Sequence, residues 1–248
     1  IKKENWKWDL ERLDEVVGNK TKVISICNPN NPTGSVLSIR QMEEIIEIAR
    51  KVGAYLLVDE VYIGAELGLG ETKSFLGMYE KTIVTSGLSK SYSNPGLRIG
   101  WIISDKSFVE EAWALKDYTT IASSSLSQHI AAKVLEPGTI LKLRSRTKDL
   151  LNKNLETFCD WILPYSNHLS FFNPEAGGFV FVEYDMDINS TDLIHDLRTK
   201  EGVFIVPGDS FGMDKYFRIG LGHEPIGFKK GLELLSKGLT RIFPHIFA

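Results

Sequence analysis

Three short polar clusters carry the residue types that do covalent and acid–base chemistry: Asn28-Pro-Asn-Asn31-Pro-Thr-Gly34, Asp59-Glu60-Val61-Tyr62 and Ser86-Gly-Leu-Ser89-Lys90. Each lies just beyond a short apolar, β-branched run: Val23–Ile26, Tyr55–Val58 and Thr82–Thr85. Such runs read as buried strands, and open α/β sheets bind ligands just beyond the carboxyl ends of their strands. One cluster of this kind is ordinary turn chemistry. Three in succession, each behind a strand, point to a site.

Asp59 ends a strongly apolar run. A lone acid there more often caps a helix or meets solvent, but a carboxylate facing a cation can also hold a ring nitrogen in its protonated form. Lys90 follows a turn of small residues that lets a ligand come close. Most lysines simply lie on the surface, whereas one in apolar or cationic surroundings becomes a nucleophile able to form a Schiff base. Arg98, in Gly96-Leu-Arg-Ile-Gly100, reads either as half of a surface ion pair or as a fork for phosphate oxygens.

These residues need a scaffold. Ser38 to Lys51 reads as a helix, with Ser38 as cap and Met42, Ile45, Ile46 and Ala49 as one apolar stripe. A fourth strand is expected over 99–103, and helices over 106–116 and 127–135. Strand–helix alternation predicts an α/β fold with a mainly parallel sheet sandwiched by helices. The pattern changes after Glu136-Pro137-Gly138. A long helix over about 139–163 precedes strands at 179–184, 203–206 and 216–219, with helices at 190–200 and 225–243. We therefore expect a large domain over 1–137 and a smaller C-terminal α+β domain over 138–248. At the start, a helical rhythm runs from Glu4 to Val17.

With 248 residues, 43% of them hydrophobic, the chain can bury a sizeable core. A net charge of −3 gives no sign of nucleic acid or an anionic membrane as partner. No apolar run is long enough to span a bilayer. Two cysteines, Cys27 and Cys159, without a CxxC or Cys/His cluster, argue against zinc or a disulfide framework and fit a reducing, cytoplasmic setting. No metal site is expected. The chain opens on Ile1 rather than Met and has no signal-peptide pattern, which suggests a piece of a longer protein.

Taken in order and spacing, the Asn28–Gly34 motif, Val58-Asp-Glu-Val-Tyr62, Ser89-Lys90 with Arg98, and Tyr216-Phe-Arg-Ile-Gly220 resemble the class I/II aminotransferases. These are pyridoxal phosphate (PLP) enzymes of fold type I. The resemblance covers essentially the whole chain, and the ordered set is far more specific than any single motif. It implies a cofactor bound through a Schiff base to Lys90, which then serves as the general base. It further implies Asp59 on the ring nitrogen, with Asn31 and Tyr62 on the ring oxygen. Arg98 would hold the phosphate with a hydroxyl from Ser86 or Ser89, and Arg218 would clamp the substrate α-carboxylate. The Pro207-Gly208…Phe211-Gly212 stretch resembles a loop that closes over substrate.

Two features depart from the family pattern. Many relatives carry Ser three residues before the lysine, where Gly87 stands here. The family's N-terminal segment, with its phosphate loop and ring-stacking aromatic, is not found ahead of Ile1.

The expected function is movement of an amino group between an amino acid and a 2-oxo acid, in a homodimer. Two alternatives share the same residues, because fold and cofactor do not fix which bond breaks. One is another fold type I PLP enzyme: a β-lyase, a decarboxylase or a cyclase of the capreomycidine-synthase kind. The other is the PLP-binding domain of a transcription regulator. A dinucleotide-binding enzyme is disfavoured by the lack of a GxGxxG motif after a first strand.

Overall fold

The computed structural model describes residues 6–68 and 70–247. The chain packs as two units. The first comprises residues 35–147, the chain up to Asn31 and the short piece 175–177; the second comprises 32–34, 148–174 and 178–248.

In the first unit, α1 (Leu10–Val16) leads into β1 (Val23–Cys27), α2 (Ile39–Val52), β2 (Tyr55–Asp59), β3 (Thr82–Gly87) and β4 (Gly100–Ile103). The early helical rhythm thus condenses into one short helix, and Glu4 lies outside the described residues. Helix α2 starts on a capping box: the Ser38 hydroxyl accepts from Gln41 N–H while the Gln41 side chain accepts from Ser38 N–H. Such a cap is worth about 1 kcal/mol. The helix ends at Gly53, whose φ of 69° is the left-handed conformation in which a side chain is strained. Between these ends, Met42, Ile45, Ile46 and Ala49 are buried against Ile24, Ile26, Leu56, Val58 and Phe75. Fully burying side chains of this size stabilises the fold by about 1.5–3 kcal/mol each.

Strands β1, β2 and β3 run parallel in the order β1-β2-β3-β4. Cys27 lies opposite Asp59, and Asp59 opposite Thr85, so these three residues form one row at the carboxyl edge of the sheet. Strand β4 departs from simple strand–helix alternation and is antiparallel to β3, with Gly87 opposite Gly100. The connection between them holds only a 3-10 turn at Pro95–Leu97, and so short a link reverses the chain instead of crossing over.

Then come α3 (Lys106–Lys116), α4 (Ser125–Val134) and α5 (Pro137–Ile162). The expected domain boundary at 137 coincides with the start of α5, whereas the two packing units part within that helix, between Thr147 and Lys148. The second unit carries β5 (Leu169–Phe171), β6 (Phe179–Tyr184), α6 (Ser190–Glu201), β7 (Val206–Pro207), β8 (Tyr216–Gly220), α7 (Pro225–Ile242) and α8 (Pro244–Phe247). Its sheet is antiparallel, in the order β5-β6-β8-β7.

Candidate active site

The row Cys27–Asp59–Thr85 marks the carboxyl edge of the sheet, from which the turns after β1, β2 and β3 leave; Asp59 and Thr85 line the cleft there. The first turn is tied down by Asn28 N–H donating to the Asp59 carbonyl (3.0 Å) and by Asn30 N–H donating to Ser35 O (2.9 Å). Asn28 is fully buried and accepts from Leu37 N–H at 2.9 Å. In the second turn, Asp59 Oδ1 accepts from Val61 N–H at 3.1 Å, which aims the carboxylate along its own turn. Neighbouring Glu60 points the other way, into the core, where Phe75 N–H donates to it at 2.8 Å. Burial raises its pKa against the opposing hydrogen bonds from Ser74 and Phe75.

Lys90 emerges from the third turn. Ser93 N–H donates to the Lys90 carbonyl (2.8 Å), and Asn94 N–H donates to Leu88 O (2.9 Å), so the backbone loops back on itself. The lysine side chain is exposed, and its Nζ stands 5.9 Å from the centre of the buried Tyr62 ring.

Asp59, Ser86, Ser89, Lys90 and Arg98 line one open cleft of about 410 Å³. The cleft holds an acid, an amine and a guanidinium. Those are the charge types that a pyridinium nitrogen, an aldehyde and a phosphate require, so the residues present fit PLP. Arg98 adopts a left-handed φ of 54°, and its guanidinium donates to Pro95 O at 2.9 Å. The Ser86 hydroxyl donates to Glu60 O at 3.4 Å. Tyr62 and Asn31 stand outside the cleft-lining set, Tyr62 beside the amine and Asn31 on the first turn.

Sequence reasoning missed Thr85, Val61 and Pro95, which complete the cleft wall. Thr85 was detectable as the strand-end neighbour of Asp59, but register is not written in a single strand. The departure at Gly87 has a steric cause. A Cβ there would meet Ile99 O at 2.9 Å and Gly100 Cα at 3.1 Å, so β4 lies too close for a side chain. Burial pushes the Cys27 thiol up to about 11, with the Asp59 charge adding to it.

Arg218 belongs to the second unit. On β8 its guanidinium lies 5.2 Å from the ring centres of both Phe179 and Phe211, held between two aromatic faces. The strand's exit is fixed from α5: Asn154 Nδ2 donates to the carbonyls of Leu221 and His223, each at 2.7 Å. A hollow of about 470 Å³ also lies in this unit, walled by Val203, Phe204, Leu232 and Leu235 among others. Its lining contains no acid, lysine or arginine, so it lacks the groups for the chemistry above.

Among the described residues, no group of three or more His, Cys, Asp or Glu could hold a metal ion, and no helix is long and apolar enough to cross a membrane.

The profile of the family "Aminotransferase class I and II" matches residues 1–234. The chain belongs to the class I and II aminotransferase family. A bifunctional aspartate aminotransferase and glutamate/aspartate-prephenate aminotransferase from Petunia hybrida is 27% identical over 98% of the chain and 54% of its own length. Capreomycidine synthase from Streptomyces vinaceus is 27% identical over 93% of the chain and 59% of its own length. Among solved structures, a PLP-dependent aminotransferase from Streptococcus suis superposes with a TM-score of 0.88 at 35% identity, covering 96% of the chain and 62% of that protein. The fold is accordingly that of the fold type I aminotransferases. The chain spans little more than half the length of the curated relatives it matches.

Proposed function

We propose that this member of the class I and II aminotransferases uses PLP to move an amino group between an amino acid and a 2-oxo acid. The observation that carries the proposal is the convergence of Lys90, Asp59 and Arg98 on one cleft of about 410 Å³. When bound, the cofactor supplies an electron sink for the bond broken at the substrate α-carbon.

The chain's own residues do the rest. Asp59 would hold the proton on the ring nitrogen, because an adjacent negative charge favours the protonated form. Lys90 would hold the cofactor through its amine and would serve as the base that moves a proton at the substrate α-carbon. Tyr62 and Asn31 donate to the ring oxygen. Arg98 grips phosphate oxygens, with Ser86 and Ser89 lining the same wall. Arg218, held between Phe179 and Phe211, orients the substrate α-carboxylate by a two-pronged hydrogen bond.

Homodimerisation is part of the proposal. Trp113 and Tyr118 are 65% and 89% exposed, and Ile121 and Leu126 are exposed beside them in sequence. Helix α3 buries none of its residues despite Phe108, Val109, Trp113 and Leu115. Apolar surface of this kind marks an interface. The two free cysteines suit a reducing, cytoplasmic setting.

The deciding experiment mixes the PLP-loaded protein with an amino acid and no oxo acid. Transamination releases one 2-oxo acid per cofactor and leaves pyridoxamine phosphate on the protein. Release of carbon dioxide, or of a side-chain fragment, with the cofactor returned as PLP would overturn this reading in favour of a decarboxylase or lyase. Cyclisation of the amino acid would instead favour the chemistry of the Streptomyces relative's name.

A further inference from the structure

We propose that Arg144 is a positioning residue that sets the separation of Lys90 from Tyr62 by gripping both of their loops at once. The proposal rests on the functional reading above, in which those two side chains meet neighbouring groups of one cofactor, its aldehyde and its ring oxygen.

Arg144 lies on α5, in the part of the helix that packs with the first unit. Its side chain is 26% exposed. On one side, its Nη2 donates to the Tyr92 hydroxyl at 3.2 Å, and the guanidinium lies 5.2 Å from the Tyr92 ring centre. Tyr92 is buried two residues beyond Lys90. One helical turn on, Thr147 shares a 2.7 Å hydroxyl hydrogen bond with Ser93. Residues three apart share a helix face, so one face of α5 holds two consecutive residues of the lysine loop.

On its other side, Arg144 lies against the loop that carries Tyr62. Gly64 has a φ of +90°, and a Cβ there would sit 2.5 Å from Arg144 Nε and 2.8 Å from Cζ. The guanidinium therefore rests directly on the Gly64 backbone. Its Nη1 pairs with Glu71 at 2.7 Å, at the far end of the same loop. Glu66 closes that loop internally, accepting from Gly64 N–H (3.0 Å) and Thr72 N–H (3.0 Å). One planar cation thus spans the lysine loop and both ends of the tyrosine loop. Lysine, a point charge on a flexible stem, cannot reproduce a fork that also stacks.

The test compares Arg144→Met, Arg144→Lys and Tyr92→Phe with the unsubstituted protein. In the cofactor-free protein, Arg144→Met is expected to speed amide hydrogen exchange about tenfold in both 61–72 and 91–98. Thr147→Val should affect 91–98 alone. Loaded with PLP, Arg144→Met should raise the pH midpoint of the visible band by about one unit, because a displaced Tyr62 donates less well to the ring oxygen. kcat should fall about a hundredfold with little change in KM. Arg144→Lys should recover only part of each effect, and Tyr92→Phe, which removes a single hydroxyl, should show a smaller shift in the same direction. A lowered melting temperature with the midpoint unmoved, or faster exchange confined to one loop, overturns the proposal. An unsubstituted protein that binds no PLP defeats the functional reading before any variant is compared, and takes this proposal with it.

Discussion

Asp59, at the end of β2, and Lys90, just past β3, face the same cleft. Replacing Lys90 with Ala should abolish the visible band of the bound cofactor and lower turnover by roughly 10⁴-fold or more. Borohydride reduction of the unsubstituted protein should fix the cofactor on the peptide containing residue 90, as read by mass spectrometry. A band that survives the substitution would mean another amine does this work.

Arg218 should not tolerate lysine. Its guanidinium lies 5.2 Å from the ring centres of both Phe179 and Phe211, contacts that a compact, strongly hydrated ammonium group does not reproduce. Arg218→Lys is expected to lower kcat/KM for amino acids by about a hundredfold, the worth of a two-pronged charged hydrogen bond. The visible spectrum should be unchanged. Steady-state kinetics across several amino acids check this, and an equal loss with substrates lacking an α-carboxylate would contradict it.

The Cys27 thiol should resist alkylation. Burial, with help from Asp59, moves it from an ordinary value of 9.0 to about 11. At pH 8 its reaction with iodoacetamide should be roughly a hundredfold slower than that of an unhindered thiol, accelerating about tenfold per pH unit above that. The linkage has a definite sign. A folded-state value above the unfolded one contributes stability that is full below pH 9 and is lost as pH rises through about 11. Mass spectrometry of the alkylated peptide and melting curves from pH 8 to 11 measure both.

Two glycines should respond in opposite directions to alanine. At Gly208 a Cβ would fall 1.9 Å from Met213 O and 2.7 Å from Tyr216 O, contacts that only backbone movement can relieve. Gly208→Ala should cost about 3 kcal/mol or more. Gly231, inside α7, has open space where a Cβ would go. Gly231→Ala should add about 0.5–1 kcal/mol through helix propensity. Denaturant melts of the two variants decide the point.

The parts of this molecule that were legible in the sequence are those with local causes. The strand-ending clusters at Asn28, Asp59 and Ser86 announced the site's edge of the sheet, and the Ser38 cap announced α2. Strand β5 was missed because Leu169-Ser-Phe171 is too short to show a period. The strand expected over 203–206 is reduced to Val206–Pro207, since what pairs there is decided by Phe217 and Arg218 on β8. Arg144 could not be singled out among Lys142, Arg146 and Lys148 on one helix. What distinguishes it is Glu71, 73 positions away, and the bare backbone at Gly64. Likewise, the direction of β4 depends on pairing between distant residues and leaves no local mark.

That reversal at β4 has a wider consequence. The amine of Lys90 and the guanidinium of Arg98, proposed above to hold the aldehyde and the phosphate of the cofactor, sit on a single short hairpin, Leu88 to Ile99, pinned shut where Leu88 N–H meets Ile99 O at 3.1 Å. The two handles are therefore spaced by one continuous ruler. A single inserted or deleted residue there would mis-set both together, so this stretch should tolerate changes of residue type far better than changes of length.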